Sequence, residues 1–264
     1  ATPAARMASR KLADHYAKAA KTAGYAARSA FKLLEMHEKF QVVKGTVLDL
    51  GCHPGAWLQV VSKLQPPDSF ALGVDLSATD LSGLKHVDVK RTFTVQSDVF
   101  ELCEQSVAAL RHTACGRPSS SSNSSAGFGT VLSDLAPSTT GSKHTDAAAS
   151  YALAEHAVRL AIGEGALDVL DDEDGNDARG FDYHEGTGDA KRGGVSHSIA
   201  SDDEQKGVLR VGGNLVVKLL EGPGGGRGDL QTICKPHFAS LKWFRPKATR
   251  NESTEVFLVA RGRK

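Results

Sequence analysis

Residues 46–57 have the sequence Thr-Val-Leu-Asp-Leu-Gly-Cys-His-Pro-Gly-Ala-Trp. The first five residues are a short apolar run of the kind that forms a buried strand, and a glycine-rich turn follows at once. From Ala56 to Leu64 the pattern is helical. A strand, a tight turn and a helix in direct succession are typical of a parallel α/β sheet.

Six more apolar runs have the length and composition of strands, and helical patterns separate most of them. The predicted strands are 46–50, 70–75, 93–96, 130–134, 213–220, 241–244 and 255–260. The predicted helices are 8–23, 26–40, 56–64, 100–112 and 145–162. This alternation predicts a Rossmann-like, doubly wound α/β fold with a mostly parallel sheet of seven strands. Since the last two strands are close in sequence, one strand near the edge is expected to run antiparallel.

Two charged residues stand in unusual places. Lys218 interrupts an apolar strand, Val-Val-Lys-Leu-Leu, and a lysine in a central strand is rarely buried without a partner. Asp134 stands at the end of another apolar strand. Lys32, by contrast, is expected to point away from the core that Phe31 and Leu34 face, because a helix lysine is usually solvated.

The composition is that of one globular domain over residues 1–264. The chain has 264 residues, of which 40% are hydrophobic and 24% are charged, and no run of about 18 apolar residues could cross a membrane. A net charge of +1 conceals basic N-terminal helices over 1–44 and an acidic, glycine-rich insertion over 163–206. This insertion is expected to be disordered and the serine-rich loop 116–127 flexible.

No two of the four cysteines form a Cys-x-x-Cys motif. They are Cys52, Cys103, Cys115 and Cys234. Their spacing predicts neither a zinc site nor a disulfide framework, and a reducing compartment fits best. We therefore expect no bound metal.

The glycine-rich turn is a candidate cofactor site, because doubly wound sheets bind ligands at the carboxyl ends of their strands. It lacks the Gly-x-Gly-x-x-Gly dinucleotide fingerprint, so a nucleoside with an amino-acid tail, S-adenosylmethionine, is favoured over a pyrophosphate. Asp75 ends the second strand and could accept hydrogen bonds from ribose hydroxyls. Asp98 follows the third strand and could bind the adenine amino group. Either acid alone could equally be a helix cap or a solvated loop residue.

Four further segments complete a family pattern: 25–33, 133–137, 214–219 and 253–260. Together with the cofactor turn, they resemble the heat-shock 2′-O-ribose methyltransferases that modify large-subunit ribosomal RNA. The resemblance covers about residues 8 to 260. The segments 28–35 and 250–256 are most similar to the mitochondrial branch, which implies a mitochondrial matrix location, with cytoplasm or nucleolus as alternatives.

The resemblance implies a catalytic tetrad and a set of cofactor contacts. The tetrad is Lys32, Asp134, Lys218 and Glu255. The implied cofactor contacts are Gly55, Trp57, Asp75, Asp98 and Asp134, with Gly51 and Pro54 in the same turn. A ribose 2′-hydroxyl must lose its proton as it attacks a methyl group, and Lys218 is the candidate base. Burial beside a second lysine favours the neutral amine, whereas Asp134 favours the ammonium, and both outcomes stay open.

RNA is the expected partner, within a pre-ribosomal large subunit and with a uridine as target. Arg10, Lys11, Arg28 and Arg250 are candidate phosphate contacts that would not discriminate between sequences. Relatives usually have an arginine at Ala26, so one phosphate contact is missing. The chain contains no RRM, KH or zinc-knuckle motif. A monomeric enzyme is expected.

Two alternative functions are compatible with the sequence. The chain could be a ribosome-assembly factor that acts mainly by binding, which the lost arginine and the Cys52-His53 pair in the cofactor turn favour. It could instead methylate a tRNA or an mRNA cap, although an aromatic content of only 6% disfavours an aromatic cap pocket.

Overall fold

The computed structural model describes residues 15–115, 127–163, 207–223, 226–250 and 252–264. Arg10 and Lys11 lie outside the described residues. So do residues 116–126 and 164–206, which contain nearly all of the predicted serine-rich loop and acidic insertion.

One sheet of seven strands organises these residues. Its strands are β1 (Val47–Leu50), β2 (Ala71–Asp75), β3 (Thr92–Gln96), β4 (Phe128–Ser133), β5 (Leu209–Leu220), β6 (Phe238–Phe244) and β7 (Glu255–Arg263). The spatial order is β3-β2-β1-β4-β5-β7-β6. Only β7 runs against the others, paired antiparallel with both β5 and β6. The prediction of a mostly parallel, seven-stranded sheet with one antiparallel strand near the edge is confirmed.

Helices cover both faces of the sheet. Helix α1 is described over residues 15–23, and the others are α2 (Ser29–Phe40), α3 (Ala56–Leu64), α4 (Glu104–Cys115), α5 (Lys143–Ile162) and α6 (Arg227–Cys234). No helix in the described part of the chain is long and apolar enough to cross a membrane. The short helix α6 was not predicted, because a glycine and several polar residues leave it too few apolar positions to indicate a helix.

Two helices have bounds that differ from the predicted ones. The helix predicted over 100–112 is divided into a 3₁₀ turn, Val99–Glu101, and α4, because the Asp98 side chain caps the turn by accepting the N–H of Phe100. The helix predicted over 26–40 begins only at Ser29, because the N–H of Ala26 is held by the Gln59 side chain, 2.7 Å away.

Strand alternation divides the core into two layers. One layer joins Val47, Leu132, Val216 and Phe257 to α2 and α3. The other joins alternate strand residues to α5 and α6. A polar side chain that lies an even number of positions from one of these four residues, on the same strand, must therefore point towards α2 and α3.

Candidate active site

The first charged pair lies where β4 and β5 end side by side. Ser133 is in register with Val217, so Asp134 and Lys218 are neighbours on the α2/α3 face. The Lys218 Nζ donates to the Asp134 main-chain oxygen at 2.6 Å and lies 3.1 Å from Oδ1. Lys218 is only 6% exposed. Its charge is thus compensated, as burial requires.

The second pair joins α2 to the start of β7. Lys32 Nζ lies 2.6 Å from Glu255 Oε1 and 2.7 Å from Oε2. It also lies 5.8 Å from the ring centroid of Phe257. The expectation that Lys32 points away from the core is wrong: it is buried, because this carboxylate and ring replace solvent around its charge.

The two pairs are neighbours on the sheet. Lys218 is in register with Phe257, and Leu220 is in register with Glu255. Because β7 is antiparallel, its first residue meets the last residues of β5. The four residues of the predicted tetrad thus lie together as two lysine–carboxylate pairs, while their catalytic roles stay a prediction.

A third residue, which sequence reasoning missed, holds Glu255 in place. The buried Thr249 hydroxyl donates to Glu255 Oε1 at 3.0 Å. The loop that carries Thr249 is itself fixed, because Glu35 accepts the N–H groups of Lys247 and Ala248 at 2.7 and 3.0 Å. No local pattern indicates this role, since Thr249 is an ordinary loop residue until the fold brings it to Glu255.

We expect Thr249 to be a positioning residue. Thr249→Val keeps the shape but removes the hydroxyl, so Glu255 loses a buried donor and the Lys32 ammonium loses its fixed direction. The kcat for methyl transfer is expected to fall roughly 10-fold with little change in KM, since a loss of about 1.4 kcal/mol in transition-state stabilisation has that effect. Thr249→Ser keeps the hydroxyl and should restore kcat. Equal losses in the valine and serine variants would contradict this role.

The cofactor turn depends on glycines at two positions. Gly51 and Gly55 have φ angles of +81° and +98°, a region that side chains rarely adopt. A Cβ on Gly55 would also lie 2.5 Å from Leu84 Cδ1. Since α3 begins directly after Gly55, its first amide groups face the carboxyl edge of the sheet without helical partners.

The predicted cofactor acids are tied to the backbone. Asp75 accepts the N–H of His53 at 2.9 Å and that of Ser77 at 2.8 Å. It therefore fixes the cofactor turn. Asp98 accepts the N–H of Phe100 at 3.0 Å, so the capping role considered as an alternative is present in the structure.

The other two predicted contacts in this segment differ in exposure. Trp57 is buried, and its indole N–H donates to the Ser29 carbonyl at 2.8 Å, which joins α3 to α2. Pro54 is exposed in the turn itself. Trp57 thus has a structural role between the two helices besides its predicted one.

Asp49 is a buried acid that sequence reasoning left without a role. It is fully buried in β1, and neither carboxyl oxygen has a hydrogen-bond partner. Burial raises the pKa of Asp49 well above its usual value, and the charges of Asp134 and Asp75 raise it further. An acid inside the run Thr-Val-Leu-Asp-Leu was the signal that could have found it.

This raised pKa predicts how stability depends on pH. Because the folded protein holds the Asp49 proton more tightly than the unfolded chain, the unfolding free energy falls as the pH rises above the unfolded pKa. Asp49→Asn keeps the shape and cannot ionise. Its Tm is expected to exceed that of the wild type by a margin that widens from about pH 5 to pH 8. The exposed Asp68→Asn is the control; a margin that stays constant or narrows would rule out this explanation.

Cys52 and His53 occupy the cofactor turn in different environments. Burial raises the pKa of the Cys52 thiol to about 12, so a nucleophilic thiolate is disfavoured. His53 is exposed. The turn is closed by a main-chain hydrogen bond, in which the Gly55 N–H donates to the Cys52 carbonyl at 2.6 Å. Cys52 and His53 are therefore compatible with a tight turn.

The two predicted RNA contacts within the described residues lie near the tetrad. Burial and the charge of Arg250 lower the pKa of Arg28, whereas Glu255 and Glu252 raise it. Arg28 and Arg250 are therefore within electrostatic reach of each other and of Glu255. An anion between two such guanidinium groups would relieve their mutual repulsion.

Comparison with known proteins identifies the family of the chain. The family model of FtsJ-like methyltransferases matches residues 25–263. The chain is 31% identical to the ribosomal RNA large subunit methyltransferase E of Desulforapulum autotrophicum, over 96% of this chain and 93% of that protein. It is 29% identical to the enzyme of the same name from Erythrobacter litoralis, over 97% and 88% of the two chains.

A solved structure has the same fold. The crystal structure of a protein from Plasmodium falciparum, described as a ribosomal RNA methyltransferase, superposes with a TM-score of 0.57 at 19% identity, over 90% of this chain and 98% of that one. The family match and the sequence relatives extend over nearly all of the described fold. The chain belongs to the FtsJ-like methyltransferase family.

Proposed function

We propose that the protein is an S-adenosylmethionine-dependent 2′-O-ribose methyltransferase that acts on large-subunit ribosomal RNA, with a uridine as target. The observation that carries the proposal is the pair of buried lysine–carboxylate contacts, Lys218–Asp134 and Lys32–Glu255, beside the glycine turn. The names of the relatives support a ribosomal RNA substrate.

The residues present fit S-adenosylmethionine. The cofactor carries a positive sulfonium and ammonium, and the carboxyl groups of Asp49, Asp75 and Asp134 are close enough to affect one another. The Asp134 Oδ1 is buried, and its ion pair with Lys218 lacks the alignment of a hydrogen bond. It therefore keeps the capacity to accept one. When bound, the cofactor supplies an activated methyl group.

The chain's own residues then supply positioning and proton transfer. In its neutral form, Lys218 Nζ accepts the proton of the ribose 2′-hydroxyl, and the Asp134 carboxylate stabilises the resulting ammonium. Lys32, held by Glu255, donates to the ribose and fixes the direction of attack. The buried Lys32–Glu255 pair keeps its charges during this step and needs little rearrangement, which favours the transition state.

Methyl transfer to defined RNA tests this function. Labelled S-adenosylmethionine is incubated with the protein and either free ribosomal RNA or immature large subunits. A methyl group on a 2′-oxygen protects the next phosphodiester from alkaline hydrolysis and thereby gives its position. Transfer to tRNA or capped RNA alone would show that ribosomal RNA is not the substrate. Transfer to a nitrogen or carbon atom of a base would show that the reaction is not 2′-O-methylation.

A binding role in ribosome assembly is the second candidate. It is favoured by Asp75, since both of its oxygens already accept main-chain N–H groups. Cofactor affinity in the absence of RNA separates the two, because an assembly factor need not bind S-adenosylmethionine. The mitochondrial location stays a prediction, which imaging of the tagged protein in cells would test.

A further inference from the structure

A basic cleft lies beside the candidate active site. It has a volume of about 500 Å³ and opens between α1, the turn at residues 24–28 and the segment 83–85. The lining residues that matter here are Lys21, Gly24, Tyr25, Arg28, Leu84 and Lys85. The tetrad does not line this cleft.

The charge on the lining of the cleft is positive. Among the described residues, no carboxylate forms an ion pair with Lys21, Arg28 or Lys85. Lys21 and Lys85 are exposed, whereas Arg28 is partly buried and lies within reach of a further cation, Arg250. Glu255 and Glu252 act on Arg28 from outside the cleft, but no described acid lines it. A lining whose charged residues are all cations is the electrostatic signature of a phosphate-binding surface.

A single buried amide fixes the two walls of the cleft. Gln59 of α3 is fully buried. Its Nε2 donates to the Gly24 carbonyl at 2.8 Å and to the Lys85 carbonyl at 2.7 Å, and its Oε1 accepts the N–H of Ala26. The lining is thus preorganised by the same helix that begins at the cofactor turn, where Leu84 packs against Gly55.

The cleft leads directly to the tetrad. Arg28 lies at its edge and precedes α2. Lys32 follows four residues later, about 6 Å along the helix axis at the usual rise per residue. A chain of phosphates that leaves the cleft at Arg28 therefore arrives at the Lys32–Glu255 pair.

We propose that this cleft binds the sugar–phosphate backbone of the RNA nucleotides that flank the target. This inference rests on the proposed function and adds a second RNA subsite to it. Lys21 and Lys85 contact phosphates at the outer end, and Arg28 contacts the phosphate nearest the reacting ribose. Such contacts set the register of the RNA without reading its sequence. Gln59 is a positioning residue that sets the width of the cleft.

Charge reversal tests the cleft, measured as RNA binding without the cofactor. The affinity of Lys21→Glu/Lys85→Glu for a fluorescent ribosomal RNA fragment is expected to fall at least roughly 10-fold at low salt. The slope of log K against log salt should decrease by about 2, one for each lost phosphate contact. The matched control is Lys90→Glu/Lys235→Glu, two exposed lysines that precede β3 and β6 and do not line the cleft. This control changes the net charge equally and should alter affinity less than twofold.

Three further measurements make the outcome decisive. Lys21→Met/Lys85→Met, which adds no acids, must weaken binding in the same direction even if the glutamate pair fails to fold. Gln59→Glu must weaken RNA binding, since it loses both donors to the cleft walls. Affinity for S-adenosylhomocysteine should stay unchanged in the lysine variants. Equal affinities and salt slopes in cleft and control variants would overturn the subsite, whereas absent methyl transfer with intact RNA binding would overturn only the proposed function.

Discussion

Lys218→Ala is expected to abolish methyl transfer while the cofactor still binds. The variant removes the proposed proton acceptor at the end of β5, and general-base catalysis typically contributes about 10²–10⁴-fold in rate. Lys218→Arg sharpens the test: it keeps a cation beside Asp134, but a guanidinium cannot accept the hydroxyl proton. We therefore expect single-turnover rates on ribosomal RNA to be lost in both variants.

The control is Lys242→Ala, which removes an exposed lysine of β6. It should retain the wild-type rate. Titration with S-adenosylhomocysteine verifies that the cofactor site is intact in each variant. A Lys218→Arg rate within a fewfold of the wild type would show that charge, and not proton transfer, is what this position supplies.

Removing Glu255 is expected to have the largest effect on stability. Glu255→Ala leaves the Lys32 ammonium buried against Phe257 without a counter-charge. Breaking one side of a buried pair costs about 3–5 kcal/mol. For a domain of this size, each kcal/mol lowers Tm by roughly 2–4 °C. Thermal unfolding followed by circular dichroism measures the loss.

The double variant Lys32→Met/Glu255→Gln separates stability from catalysis. It removes both charges and keeps an acceptor for the Thr249 hydroxyl, so most of the lost Tm should return. Methyl transfer should stay absent, because neither the ammonium nor its orienting carboxylate remains. A double variant as unstable as Glu255→Ala would show that the buried pair contributes net stability.

The sequence predicted the sheet well because its signals are local. Each strand is a compact apolar run, and the short separation of β6 and β7 predicted the single antiparallel strand. The helix α6 escaped detection, because its 8 residues contain too few apolar positions to show a helical period. The beginning of α2 was misplaced, because a contact with the distant Gln59 decides it.

The site was predictable as a set of residues, but its pairing was not. Family motifs indicated Lys32 and Glu255 separately, and these residues are 223 positions apart. A lone helix lysine is normally solvated, so its burial depends on a partner that only the fold supplies. Thr249 and Gln59 act through tertiary hydrogen bonds and have no local signature. Asp49 had one, an acid within an apolar strand.

The position of β7 links the completion of the fold to the completion of the site. Among the described strands it comes last in chain order, yet it lies inside the sheet between β5 and β6. Until β7 inserts, β6 has no neighbour to pair with, and Lys32 has no counter-ion. During synthesis, a nascent chain that lacks β7 therefore has the cofactor turn and Lys218, but it lacks Glu255, the partner of Lys32. The Lys32–Glu255 pair therefore forms only in the step in which β7 joins the sheet.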